Sequence, residues 1–215
     1  MKHYKLVVFD MDGTLLQGRG IFVIAEKKSF IGELLRLIDY DGIDFYQKSI
    51  EIAKLSKGFN KNEILDIFRT VPIQNYIEDV IKQLNNRNIK TAIATDSYKF
   101  LADDLKERLG IDYVFANNLI INNDIITGEL EIHNKLLTKD IYNGKIYSIC
   151  KSDVLDQLCD DLNIQIGETI AIGDGKVDIS MLKKAGLGIA FNASEEVQKN
   201  ADIITNDMRT ILKYI

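Results

Sequence analysis

Cysteine, proline and long apolar runs are all scarce in this chain, and each scarcity removes a class of protein. Only two cysteines, Cys150 and Cys159, occur among 215 residues. They form neither a disulfide framework nor a zinc-site spacing, so two buried or half-buried thiols in a reducing compartment are expected. No apolar stretch of the roughly 18 residues needed to cross a membrane is found, so no membrane span is expected. Met1-Lys2-His3-Tyr4 leads straight into an apolar run without a signal-peptide pattern, which makes the cytoplasm the expected location. Basic runs are missing too, and a net charge of -5 argues against a nucleic-acid partner. An acidic protein that handles an anionic substrate must concentrate positive charge locally, through a metal ion or a lysine. Proline occurs once, at Pro72, and neither a repeat nor a low-complexity tract interrupts the chain.

What is present fits one globular domain, or one domain with an insertion: 46% of residues are hydrophobic and 27% charged. Apolar runs at 4–9, 89–95, 113–116, 169–173, 187–191 and 202–205 read as strands, with helical periodicity between them. Gly110 and Gly186 are placed to close helices, and Ser152 and Ser194 to cap them. Strands alternating with helices predict an α/β fold built on a doubly wound parallel sheet, whose ligands bind beyond the carboxyl ends of the strands. Two segments break the alternation. Residues 18–72 are amphipathic and helical, too long for an ordinary loop, and predict an inserted cap hinged at Gly18, Gly20 and Pro72. Residues 117–134 predict a small antiparallel β insertion around Asn122-Asn123-Asp124, and the remainder, 1–17 and 73–215, forms the core.

Four groups of residues fall at predicted strand ends. Asp10 and Asp12 follow the first strand two residues apart, so both can converge on one point beyond it. Such a pair needs a cation between the carboxylates, a shared proton, or solvent around them. A calcium loop fits poorly, because Gly13 comes too early and the required glutamate is missing. Thr95-Asp96-Ser97 follows the second strand, where a hydroxyl and free N–H groups at a helix start can hold a phosphate oxygen. Lys151 precedes the Ser152 helix. Gly173-Asp174-Gly175-Lys176-Val177-Asp178 ends a later strand and is not a P-loop, since the G-x-x-x-x-G-K spacing is absent.

In this order, acidic pair, hydroxyl, lysine and acidic pair resemble the haloacid dehalogenase superfamily of phosphohydrolases. Its D-x-D-G-T corresponds to Asp10 to Thr14, its Ser/Thr motif to Thr95, its lysine to Lys151, and its G-D-G-x-x-D to Gly173 to Asp178. The stretches 109–117 and 179–191 are similar to the phosphoserine phosphatase-like branch. The resemblance implies a Rossmann-like core and a phosphatase in which Asp10 is the nucleophile and Asp12 the general acid and base. It implies Mg2+ held by Asp10, the Asp12 carbonyl and Asp174, with Asp178 acting through water, and phosphoryl oxygens bound by Thr95 and Lys151, with Asp96 beside them. Charge supports a cation independently: each carboxylate–phosphate pair at about 4 Å costs roughly 4 kcal/mol at an effective dielectric of 20.

Four positions depart from the branch. Its substrate-reading glutamate is replaced by Arg19, and Gln47 to Ile52 contains no arginine where the branch places one. Its Ser-Gly-Gly is Thr95-Asp96-Ser97, and the asparagine before its last aspartate is Val177. The expected function is therefore hydrolysis of a small phosphomonoester without specificity for phosphoserine, by a monomer or homodimer, with Arg19 a candidate substrate contact. A phosphotransferase using an alcohol acceptor, and a non-catalytic binding protein that retains the fold, are the alternatives.

Overall fold

The computed structural model describes residues 3–215. Its seven strands are β1 (Leu6–Phe9), β2 (Lys90–Tyr98), β3 (Tyr113–Asn122), β4 (Ile125–Glu131), β5 (Thr169–Gly173), β6 (Leu187–Phe191) and β7 (Ile203–Thr205). They form one sheet in the order β4-β3-β2-β1-β5-β6-β7, parallel except for β4. Strands β1, β5 and β6 are buried at every residue, as expected where helices cover both faces of a parallel sheet. Alternate side chains feed separate cores: Val7, Phe9 and Ile172 pack on one face, Leu6, Val8 and Ala171 on the other.

Register places the functional residues. Phe9 pairs with Ile93 on one side and with Ile172 on the other, so β1 and β5 end at nearly one level beside the continuing β2. The chain runs to opposite sides of β1 in reaching β2 and β5, which makes that end a topological switch point.

Two strands run past their expected ends. The third continues from Ala116 to Asn122, then turns through Asn123 and Asp124, both left-handed, into β4. The expected insertion is thus one hairpin continuous with the sheet, with turn residues that tolerate positive φ. The second continues beyond Thr95 to Tyr98, with a register shift between Ala94 and Tyr98.

Between β1 and α5 (Ile77–Asn86) lie α1 (Gly20–Lys27), α2 (Ile31–Asp39), α3 (Phe45–Leu55) and α4 (Lys61–Phe68). The chain segments leading in and out of this helical group are zipped together: Gln17 N donates to Pro72 O at 2.8 Å and Gln74 N to Leu15 O at 2.8 Å. The group is also stitched to the β3–β4 hairpin, where Gly58 N reaches Ile126 O at 2.8 Å and Lys61 N reaches Asp124 O at 2.7 Å. A third attachment joins Tyr46 N to Ile146 O at 3.0 Å.

The remaining helices are α6 (Lys99–Leu109), α7 (Lys151–Leu162), α8 (Ile179–Lys184) and α9 (Glu195–Gln198). Gly110 ends α6 in the left-handed conformation, as its position predicts. Two other expectations fail. Helix α7 begins two residues earlier than a Ser152 cap would place it, with extended Cys150 as its cap, because Lys151 turns inward as the first helical residue. Gly186 does not close α8, which ends at extended Ala185. Its role is close approach: a Cβ there would lie 2.3 Å from the Gly167 carbonyl oxygen. Gly186→Ala is accordingly expected to cost about 1–3 kcal/mol through overpacking, read as a lowered urea midpoint at unchanged m; full wild-type stability would remove this account of the glycine.

Candidate active site

Asp10 follows β1 directly, its N–H donating to Ile172 O at 2.9 Å. Met11 turns into the core, and its carbonyl accepts from Leu15 N and Leu16 N, so the chain coils sharply just past the strand. Gly13 makes that coil possible with φ +87 and also leaves room: a Cβ there would lie 2.5 Å from Asp174 Oδ2. Thr14 donates its hydroxyl to Asp174 Oδ1 at 2.9 Å, joining the ends of β1 and β5.

At the end of β5, Gly173 serves the same purpose for Asp178, whose Cγ would sit 2.4 Å from an added Cβ. Asp178 Oδ2 accepts from Asp174 N at 3.1 Å and Gly175 N at 2.9 Å. Its Oδ1 accepts from Lys151 Nζ at 2.5 Å, and the same ammonium donates to Asp10 Oδ1. Lys151 and Asp178 are completely enclosed. Carboxylate oxygens of Asp10, Asp174 and Asp178 all lie within 4.8 Å of one another.

These neighbours move the proton affinities. Burial, Asp178 and Asp174 push the Asp10 carboxyl well above the usual range, against the opposing pull of Lys151. Burial also raises Asp178, with Lys151 opposing it. For Lys151, burial acts to lower the pKa, but Asp10 and Asp178 outweigh it and the ammonium is held more firmly than usual. Asp12 is pushed up to about 7, mainly by burial, although Gly20 N donates to its Oδ1 at 2.6 Å.

The cluster fits a hard divalent cation. Every donor is a carboxylate oxygen, one lysine faces three acids, and Asp10 and Asp174 each keep one oxygen without a hydrogen-bond donor among the described residues. Both oxygens of Asp178 are already engaged, so it suits a supporting place behind the other two. The Asp12 side chain stands outside the cluster and faces the start of α1.

Comparison with known proteins agrees with this geometry. A family model described as haloacid dehalogenase-like hydrolase matches residues 4–186. The chain belongs to the haloacid dehalogenase-like hydrolases. Within that family it is 32% identical to a phosphoserine phosphatase of Methanocaldococcus jannaschii, covering 100% of this chain and 99% of the relative. A phosphoserine phosphatase of Campylobacter jejuni subsp. doylei is 31% identical, with 98% and 99% covered. A solved structure described as a phospho-aspartyl intermediate analogue of phosphoserine phosphatase superposes with a TM-score of 0.82 at 31% identity, covering 100% of both chains.

In this hydrolase the acids open onto a cavity of about 430 Å³ roofed by the helical group. Asp10, Asp12, Asp96, Asp174 and Arg19 all line it. Lys151, Asp178 and Thr95 do not; they are buried behind it. Thr95 accepts from Ser97 N at 3.1 Å within extended chain, and α6 starts only at Lys99. The helix-start N–H groups expected at Thr95 are therefore elsewhere, because the strand runs on to Tyr98.

Three residues unassigned in the sequence matter here. Thr14 orients Asp174, and its place in the first motif was its only signal. Tyr147 reaches the cavity from the loop before α7. Asn117, fully buried, donates to Asp96 O at 2.6 Å and Ser148 Oγ at 2.8 Å, and accepts from His133 N at 2.9 Å. Its only sequence signal was a polar residue at the end of an apolar strand. Asn117→Ala is expected to cost about 2–3 kcal/mol in urea unfolding, since it strands buried partners. KM should rise as well, because Asp96 and Ser148 line the cavity; unchanged stability and KM would refute this positioning role.

Proposed function

We propose that this phosphatase hydrolyses a small phosphomonoester by way of an aspartyl-phosphate on Asp10, with Mg2+ as its cation, and that phosphoserine is not its preferred substrate. The observation that carries the reading is the placement of Asp10 and Asp12 on one cavity at the end of one strand, with buried Lys151 against Asp10.

Lys151 pulls the Asp10 carboxyl toward its anion against burial and the neighbouring acids, and a divalent cation held there would complete its ionisation. The carboxylate then attacks phosphorus, expelling the alcohol as the Asp–phosphate bond forms. Asp12 retains a proton near neutral pH and donates it to the departing oxygen. The resulting carboxylate then takes a proton from the water that attacks the phosphoryl group, which regenerates both aspartates. Lys151, buried directly behind Asp10, and the Thr95 hydroxyl, buried behind the cavity wall, are the groups that would oppose the negative charge of the phosphoryl group. A divalent cation held by Asp10 and Asp174, with Asp178 behind them, supplies the further positive charge this site needs, and Mg2+ suits oxygen ligands next to phosphate. The helical roof excludes water that would otherwise hydrate the reacting groups.

Disfavour of phosphoserine is supported by the roof. Its cavity-lining residues include Arg19 and Lys48 and no carboxylate to receive an ammonium.

With a panel of phosphate esters, Asp10→Asn is expected to lower kcat at least about 10³-fold, and Asp12→Asn about 10²- to 10⁴-fold. Chelation should abolish turnover and added Mg2+ restore it. Acid-quenched wild-type enzyme should carry phosphate that Asp10→Asn does not. Comparable turnover by Asp10→Asn would end the nucleophile assignment, and a kcat/KM for phosphoserine above that of every other ester would end the exclusion of that substrate.

A further inference from the structure

The walls of the cavity differ in charge. On the sheet side stand Asp10, Asp12, Asp96 and Asp174, with Lys176 already paired to Glu196 at 2.7 Å, and on the helical side stand Arg19 and Lys48 among Ile21, Phe22, Phe45 and Ile52. Lys48 is unusual for its type. It lies in α3, is nine-tenths buried at 9% exposure, and yet borders the cavity. Its Nζ donates to Ile38 O at 2.6 Å and sits 5.4 Å from the centre of the Phe45 ring. Among the described residues no carboxylate forms an ion pair with Lys48 or Arg19. Lysine is almost never this buried without an anion, because removing an ammonium from water is costly unless a counter-charge replaces the lost hydration. The bare cation is explained if the anion arrives with the ligand.

Resting on the phosphatase reading above, we infer that the substrate is a phosphorylated hydroxy acid: its alcohol part carries a carboxylate seated against Arg19 and Lys48, on an apolar body without an amine. The phosphate faces the acids and lysine at the strand ends. The carboxylate is repelled from that end by Asp96 and attracted to the roof. Apolar side chains between the two charged ends suit a hydrocarbon link better than a polar one, and an ammonium next to Arg19 is repelled.

Three esters that share one ring test the inference: phenyl phosphate, 4-carboxyphenyl phosphate and 4-(aminomethyl)phenyl phosphate, each with Mg2+. In the wild type, kcat/KM for the carboxylated ester should exceed that for phenyl phosphate at least about tenfold, with the aminomethyl ester lowest. Lys48→Met should lower the carboxylated-to-phenyl ratio at least about tenfold, and Lys48→Arg should restore most of it. Both esters are measured on one preparation, so partial misfolding cancels from the ratio. Arg19→Glu should reverse the preference toward the aminomethyl ester. A wild type that treats all three esters within about twofold, or ratios that survive Lys48→Met and Arg19→Glu, would overturn the proposal. Calorimetric binding of 4-carboxyphenylphosphonate and phenylphosphonate separates this from failure of the phosphatase reading. A carboxylated analogue bound at least about tenfold more tightly supports the anion seat even in a protein that turns over no ester, and equal Kd values refute it whatever the activity.

Discussion

The contact of the Lys151 ammonium with Asp10 and Asp178 is the constraint around which this molecule is organised. Enclosed acids repel one another strongly, because neither water nor salt screens them. One lysine against Asp10, Asp174 and Asp178 leaves net negative charge, an imbalance that a divalent cation would offset. The same crowding explains the glycines. Gly13 and Gly173 sit where any Cβ would strike Asp174 or Asp178, so the G in each motif is a consequence of packing carboxylates at hydrogen-bond range.

The roof enters the chemistry through Asp12. Its carboxylate is held by Gly20 N, the first residue of α1, and Gly20 itself packs where a Cβ would lie 2.9 Å from the Phe68 ring of α4. The acid to which the proposed mechanism gives the leaving group is therefore positioned by the helical group, not by the strand alone. The stitches from Gly58 and Lys61 to the β3–β4 hairpin, and from Tyr46 to Ile146, hold that group in place at points remote from the acids. These backbone hydrogen bonds and the bond to Asp12 tie one helical group both to the hairpin and to the site, so on the proposed mechanism the seating of that group and the orientation of the proton donor go together.

Much of this is legible in the residue order. The buried strands read clearly because a parallel sheet covered on both faces requires continuous apolar runs, and acids stop such runs abruptly at Phe9 and Gly173. Convergence of Asp10, Asp174 and Lys151 follows once the sheet is doubly wound. What escapes is decided by contacts between distant segments. Nothing local shows that Asn117 ties down the Asp96 carbonyl and so lets β2 run on to Tyr98. Nothing local shows that Lys151 must turn inward, which moves the start of α7 off Ser152. Gly186 looks like a helix stop until the Gly167 backbone is seen against it. Lys48, in the stretch 47–52 that lacks arginine, gives no local sign of its position, because its burial depends on α2 and Phe45 packing around it.

The division of charge across the cavity also bears on how substrate binding and closure are linked. Arg19 and Lys48 belong to the roof, whereas Asp10, Asp96 and Asp174 belong to the sheet. On the proposed substrate class, a ligand anionic at both ends would bridge them, its phosphate at the strand ends and its second anion against Arg19 and Lys48. Binding energy from that remote end would then be gained in the same arrangement in which Gly20 N meets Asp12, so that the cations recognising the second anion and the contact orienting the proposed proton donor belong to one helical group.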